Sequence, residues 1–494
     1  MTEQHTLLWE PGSGAAPLPP LVDPSYVTQE EQPLVSLYRT YGPVFRLPRP
    51  GQAPRIILAG PEINVFMARH EDAFFSTGEQ WEQFDAMISQ KPKSGMTEAR
   101  DGEANRRRRA QSSRHWSRAR ILDQIPQLIE ITHQWTQDWQ PGSSIAVHAS
   151  MRRLIAEQLG RLLLGVSAGE YLDDFVSYLN TTIVNTLKIG NTSGDRFDSP
   201  AYQRAVERVN EFGRLASEAH LRHPQPNGKP DMIDDAMRET AQYPDAFRRA
   251  ILEHVALGPM LAGIDTVANS LSFMLYALLA HPDVRLRVQA EVDAVWGQGT
   301  LSWEQFKQMP DLQGVMMETL RRYPVAGGHR ARVARPLTLA GYRLEPGDDV
   351  EVAMTVPHFL EALYPNPMVF DLDRFRPPRN EHRKPGAYAP FGLGDHTCLG
   401  AGIAEVQLMV TMATLLSNYT LQCCVIRLTI NWSLNTIPHP SRGTISRCRL
   451  PSGVAPRSER MGDEPVLHRE AGTHLQHALA HVHAQNALRG TRDG

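Results

Sequence analysis

Between Ile251 and Ala280 the chain reads ILEHVALGPMLAGIDTVANSLSFMLYALLA. It is an apolar run holding two acids, Glu253 and Asp265, beside His254 and a single proline, Pro259. As a helix it spans about 45 Å at about 1.5 Å per residue. A membrane span would have to bury Asp265 near its centre, at about 2.5–3.5 kcal/mol, and no second stretch of this kind occurs. A helix through the middle of a large soluble core accounts for the same composition, because it is buried nearly all round. Pro259 removes one backbone hydrogen bond and predicts a kink. Asp265 and Thr266 then form a polar pair in mid-core, beside the small residues Ala262 and Gly263.

The sequence around that helix is mainly helical in pattern from Tyr26 to about Leu450. Strand-like stretches interrupt it at PVFRL (43–47), RIILAG (55–60), LTLAGYRLEPGDDVEV (337–352) and NYTLQ (418–422). Two β regions are separated by a long helical block without regular strand–helix alternation. That predicts a mainly α (α+β) fold with small β-sheets, a single large domain around a long central helix. Residues 1–25 are Pro/Gly-rich and read as an extended N-terminal extension. Residues 26–450 read as the main domain, and 451–494 as a polar His/Arg-rich tail. In that tail His477 and His481 share a helical face, but no third metal ligand is specified.

Net charge is −3, from 51 Lys+Arg against 54 Asp+Glu, which gives no general attraction to nucleic acid or anionic membrane. The N-terminus lacks a basic start followed by an apolar run, so neither signal peptide nor membrane anchor is expected. The 4 cysteines, two of them adjacent, suit free thiols in a reducing, cytoplasmic setting.

One cysteine stands apart. FGLGDHTCLG (391–400) places Cys398 among glycines, immediately before a helical run. A helix N-terminus after Cys398 aims backbone N–H groups and the positive dipole end at the sulfur, stabilising a thiolate. Gly392, Gly394 and Gly400 permit a tight turn and close backbone approach to a flat ring. Phe391 can cover the sulfur side and limit water. Alone, this pattern also suits a buried structural cysteine. Two further signals precede it in order: Ala262-Gly263-Ile264-Asp265-Thr266 and Glu318-Thr319-Leu320-Arg321. A Glu-x-x-Arg alone is weak, since any amphipathic helix can supply it.

Together, in this order, the three signals resemble the cytochrome P-450 superfamily of soluble bacterial-type haem-thiolate monooxygenases, over roughly residues 26–450. The resemblance implies haem b (iron protoporphyrin IX) with Cys398 as the axial ligand of the iron, whose thiolate donation favours O–O cleavage of dioxygen. It implies that Asp265 and Thr266 deliver protons during oxygen activation. The alternative for that pair is a helix-bending Thr and an Asp bridged to a surface arginine. Glu318 and Arg321, with Arg374 of NPMVFDLDRF as third member, resemble the family's structural cluster, whose charges must be paired once buried.

For the haem propionates the resemblance points to His396, to Arg330 in GGHRAR, and to Arg109 in DGEANRRRRAQSSRHWSRAR. The usual histidine four residues before Arg109 is replaced by Asn105, which can donate a hydrogen bond but carries no charge. Trp116 and Arg120 offer a second, Trp-x-x-x-Arg reading, and the upstream Asp-Gly-Glu favours Arg109. The arginine run 106–109, with Arg114, Arg118 and Arg120, reads as a solvated face or a dock for an acidic redox partner. By resemblance, Trp81, Phe84 and Met87 belong to a loop over the substrate pocket, and Ala262, Val325, Ala326 and Ile437 to its walls.

The implied reaction inserts one atom of dioxygen into an apolar organic substrate: a lipid, terpenoid, steroid or polyketide-like molecule. The chain shows no flavin domain, dinucleotide fingerprint or iron–sulfur cysteine set. Electrons are therefore expected from a ferredoxin or flavodoxin with an NAD(P)H-dependent reductase. The rivals are a peroxide-driven peroxygenase or haem-thiolate isomerase, and a non-enzymatic haem sensor or carrier.

Overall fold

The computed structural model of the chain describes residues 9–12, 14, 16–23, 32–49, 51–78, 101–140, 142–183, 197–224, 229–296, 301–425 and 447–449, all within the unit Met1–Val454. Trp81, Phe84, Met87, Ile437 and the His/Arg-rich tail lie outside the described residues. The helices are α1 (Pro33–Tyr41), α2 (Pro61–Phe74), α3 (Gly102–Ser113), α4 (Arg118–Leu122), α5 (Ile125–Thr136), α6 (Val147–Leu163), α7 (Leu172–Ile183), α8 (Pro200–Arg222), α9 (Met232–Glu239), α10 (Asp245–Ala280), α11 (Pro282–Trp296), α12 (Trp303–Phe306), α13 (Pro310–Arg322) and α14 (Ala401–Asn418). The strands are β1 (Trp9–Pro11), β2 (Val44–Arg49), β3 (Gln52–Ala59), β4 (Phe75–Ser76), β5 (Ser144–Ile145), β6 (His329–Val333), β7 (Leu337–Leu339), β8 (Tyr342–Leu344), β9 (Asp349–Ala353), β10 (Gln422–Val425) and β11 (Arg447–Arg449).

The apolar run of residues 251–280 forms the C-terminal part of α10, which begins earlier, at Asp245. By length and composition α10 could cross a membrane, but 78% of its most apolar window is buried inside the fold. It packs against α6, α8, α9, α13 and α14, so its low polarity answers protein rather than lipid. Pro259 lies inside the helix and is buried. Gly263 lets α10 approach α6 closely: a Cβ there would stand 2.8 Å from Leu159 Cδ1.

The helical core is one continuous apolar cluster running from Ile121 to Leu421. Two smaller clusters flank the main sheet. That sheet has the order β2-β3-β9-β6-β4, with β3 and β9 parallel and the other pairs antiparallel. Smaller sheets are β1-β7-β8 and β10-β11-β5.

Two expectations change. NYTLQ is not a strand: Asn418 ends α14, whose buried Thr414, Leu415 and Leu416 carry the helix to that point, and pairing starts only at Gln422. The N-terminal extension is more than an extended lead-in. β1 pairs with β7, Trp9 meets Phe66, His70 and Phe74 on α2, and the Val22 N–H and Pro20 carbonyl both bond Arg46.

Candidate active site

Residues 391–400 form a turn with a short 3₁₀ segment, Gly394–His396, leading into α14. The Cys398 N–H donates to the Phe391 carbonyl at 2.7 Å and closes the loop. Gly394 has φ +57°, and a Cβ there would lie 3.0 Å from the Met67 carbonyl of α2. Only glycine allows both the left-handed turn and this contact. Cys398 is exposed by surface area, yet enough protein surrounds the sulfur that burial pushes its thiol up. The N–H groups of Gly400 and Ala401 and the Arg109 guanidinium pull the other way, toward the thiolate. A soft sulfur open to a ligand, with amide donors and a cation behind it, fits an axial ligand of haem iron. Trp116, which follows α3, lies against Gly400 and Gly258.

Arg109 reaches the loop from α3, donating through Nη2 to the Thr397 carbonyl. Asn105, one turn earlier, is buried. His396 sits between two residues: Nε2 lies 2.9 Å from Thr77 Oγ1 and Nδ1 3.0 Å from Glu71 Oε2. The other Glu71 oxygen is 2.7 Å from His329 Nε2. Arg330 sits among charged residues of the main sheet. Adjacent strand residues point to opposite faces, and Arg330 lies opposite Glu351 across β9, with Arg55 and Asp349 nearby. The neighbour of His396 on β6 is therefore His329, with ring centroids 6.4 Å apart.

On α10, Ala262 and Thr266 are exposed while Ile264, Asp265, Val267 and Ala268 are buried. The two exposed residues are four apart and share a face. Thr266 Oγ1 donates to the Ala262 carbonyl at 2.8 Å. Asp265 points elsewhere: its Oδ1 is 2.7 Å from Nε of Arg152, on α6. Arg152 is 8% exposed, so the arginine bridge is internal rather than superficial. Val325 and Ala326 are half-buried in the segment between α13 and β6.

Glu318, Arg321 and Arg374 come together in a dry cluster. Arg321 donates to both Glu318 oxygens at 2.7 and 2.8 Å, and to the carbonyls of His358 and Pro367 at 2.6 Å each. Arg374 donates to Glu318 at 3.2 Å, to Glu381 at 3.0 Å, and to the carbonyls of Pro365, Asn366 and Val369. His358 closes the cluster as a neutral ring. Its Nδ1–H donates to the Arg321 carbonyl and its Nε2 accepts from the Ala389 N–H. Burial and the Arg321 charge pull it down to about 3.

Much of the arginine run is engaged within the fold. Arg106 pairs with Asp72 and Asp395, Arg114 with Glu239, Arg118 with Glu405 and Arg120 with Asp235. Among the described side chains of the run Arg107 is the most open, 76% exposed and paired with Glu103 one turn away. Arg152, Glu71, His329 and His358 escaped sequence reasoning. Each is separated from its partner by tens to hundreds of residues, and only the GGHRAR context of His329 could have drawn attention.

The family model "Cytochrome P-450" matches residues 25–433. Cytochrome P-450 139 of Mycobacterium tuberculosis is 25% identical over 402 residues, covering 79% of this chain and 90% of its own. Cyclooctat-9-en-7-ol 5-monooxygenase of Streptomyces melanosporofaciens is 24% identical over 304 residues, covering 58% and 63%. Among solved structures, retinoic acid-bound cyanobacterial CYP120A1 superposes with a TM-score of 0.72 at 21% identity, covering 88% of this chain and 99% of that one. A mutant cytochrome P450DA haem domain reaches 0.73 at 17%, covering 91% and 100%. Those two structures speak for the fold alone, and the family match carries the rest: the chain belongs to the cytochrome P-450 family of haem-dependent monooxygenases.

Proposed function

We propose that this monooxygenase oxidises an apolar substrate of lipid or terpenoid type, with Cys398 as the haem iron's axial ligand and Arg109 and His396 on the propionate side. The observation that carries the reading is the Ala262–Thr266 pair, the exposed face in an otherwise buried part of α10. Small and half-polar, that face can accept a ligand where the rest of the helix serves packing. Names of similar proteins support the substrate class: one is a cyclooctat-9-en-7-ol monooxygenase, another was solved with retinoic acid.

The haem, when bound, supplies oxygen binding and electron transfer. The chain's part is positioning and proton handling. Cys398 holds the thiolate with amide donors from Gly400 and Ala401. The Thr266 hydroxyl donates to the Ala262 carbonyl at rest and offers its proton on the open face when it turns away from that carbonyl. Asp265, turned to Arg152 at rest, would leave that arginine, take up a proton from solvent and pass it on to the hydroxyl. Glu318, Arg321 and Arg374 hold the loop side in place. Electrons come from a ferredoxin or flavodoxin docking by charge near Arg107, in a cytoplasmic setting.

The test is spectroscopic. The reduced, carbon monoxide-bound protein should absorb near the thiolate position, and Cys398→Ser should lose that band. Retinoids and diterpene alcohols should shift the spin state, while polar controls should not. A thiolate spectrum that survives Cys398→Ser sinks the ligand assignment.

A further inference from the structure

Glu71 is a carboxylate in an unexpected place. It is 2% exposed, on the side where the haem's own anionic propionates are expected, so a second buried anion there calls for a reason. The charge is retained. Although burial alone raises a carboxyl, hydrogen bonds and charge from His329 and His396 hold Glu71 at about 2. Each oxygen serves a different element. Oε1 takes His329 of β6 at 2.7 Å, and Oε2 takes His396 of the cysteine loop at 3.0 Å.

The contact is also steric. A Cβ on Gly394 would stand 3.3 Å from Glu71 Oε2 and 3.0 Å from the Met67 carbonyl, so α2 lies directly on the loop that carries Cys398. The far nitrogen of His396 meets the Thr77 hydroxyl, and Thr77 donates in turn to Asp101, which precedes α3. A single side chain thus ties α2, β6 and the cysteine loop together, and through His396 it reaches the start of α3.

We infer that Glu71 is a positioning residue for the haem site: it locks the cysteine loop to α2 through His396 and sets His329, rather than Arg330, as the β6 residue facing the cofactor's edge. This rests on Cys398 as the axial ligand. With haem bound beside His396, a buried anion at Glu71 would also bias the iron's potential, which a packing residue of the same size does not do.

The experiment uses the haem-loaded full chain. Wild type, Glu71→Gln, His396→Ala and the double variant are reduced under carbon monoxide. The conversion of the thiolate-type band to the inactive-type band is timed in mild urea, and midpoint potentials are measured at low salt. Glu71→Gln should start with the thiolate band, convert at least fivefold faster, and have a more positive potential, because an anion that favours ferric iron is gone. In the His396→Ala background its effect on conversion should shrink to within twofold. Unchanged conversion with unchanged potential overturns the inference. Faster conversion with an unmoved potential reduces Glu71 to packing and also overturns it. Absence of the thiolate band in the wild type is a different failure, that of the Cys398 assignment.

Discussion

Two buried ion clusters in this protein are built to opposite standards. Around Glu318, every guanidinium is forked onto carboxylates and backbone carbonyls, and the whole group is essentially dry. Around Asp265, Arg152 comes within 2.7 Å, yet neither Asp265 Oδ1 nor Arg152 Nε makes an aligned hydrogen bond. Arg152 otherwise reaches Asn180 only at 3.4 Å. A fully satisfied network has one arrangement and resists change. A close but misaligned pair has little to lose by rearranging. The first suits structure, and the second suits a carboxylate that must move a proton.

That contrast can be broken most severely at Arg374. Arg374→Ala removes the cation that Glu318 and Glu381 share, leaves each with one arginine (Arg321 and Arg379), and strips three backbone carbonyls of their donor. Breaking a buried network of this kind costs about 3–5 kcal/mol. The expected outcome is little folded, haem-loaded protein, read from the ratio of haem to protein absorbance. Near-normal loading would mean the cluster is dispensable. Asp265→Asn should do the reverse, keeping the fold and haem content while turnover falls about 100-fold with a larger solvent isotope effect. If it unfolded the protein instead, the two clusters would be alike. Thr266→Ala is milder: peroxide formed per product should rise severalfold, and unchanged coupling removes Thr266 from proton delivery.

The structural cluster also predicts a pH dependence. His358 is kept neutral down to about 3 when folded, whereas in the unfolded chain it takes up a proton near its ordinary value of about 6.5. Its contribution is therefore full above pH 6.5 and is lost progressively as pH falls toward 3. Urea midpoints at pH 7 and pH 5 should differ. His358→Asn, which can still donate to one neighbour and accept from the other, should flatten the difference. The smallest expected effect is at Arg107, whose exposed pair contributes little to stability. Arg107→Glu should leave the fold unchanged and slow reduction by an acidic partner a few-fold at low salt. An unchanged rate and salt dependence would count against docking there.

The glycine turn that carries Cys398, the Glu318–Arg321 contact and the position of Asp265 and Thr266 on the long helix could be read from the chain, because each lies within one turn or one helix, where spacing alone sets geometry. Arg109 was singled out by its register with the upstream Asp-Gly-Glu, and the fold brings it to the Thr397 carbonyl. At Arg330 the motif marks only a segment, while the pleat decides which of two neighbours lies toward His396. One residue of strand register exchanges Arg330 for His329. The strand expected at 418–422 failed for a related reason: the end of α14 is set by burial against its neighbours, not by the β propensity of Tyr419 and Thr420.

By itself the sequence determined a mainly α fold around one long apolar helix, a cysteine presented on a glycine turn, and with these the family and its haem chemistry. Such features are local in the chain, so periodicity, turn chemistry and short spacings encode them directly. Only the tertiary structure decided that Asp265 faces Arg152, that Glu71 joins two histidines from distant segments, and that most of the arginine run serves the fold. These are contacts between side chains far apart in sequence. Their geometry follows from how helices and sheet pack, and no spacing in the chain records it.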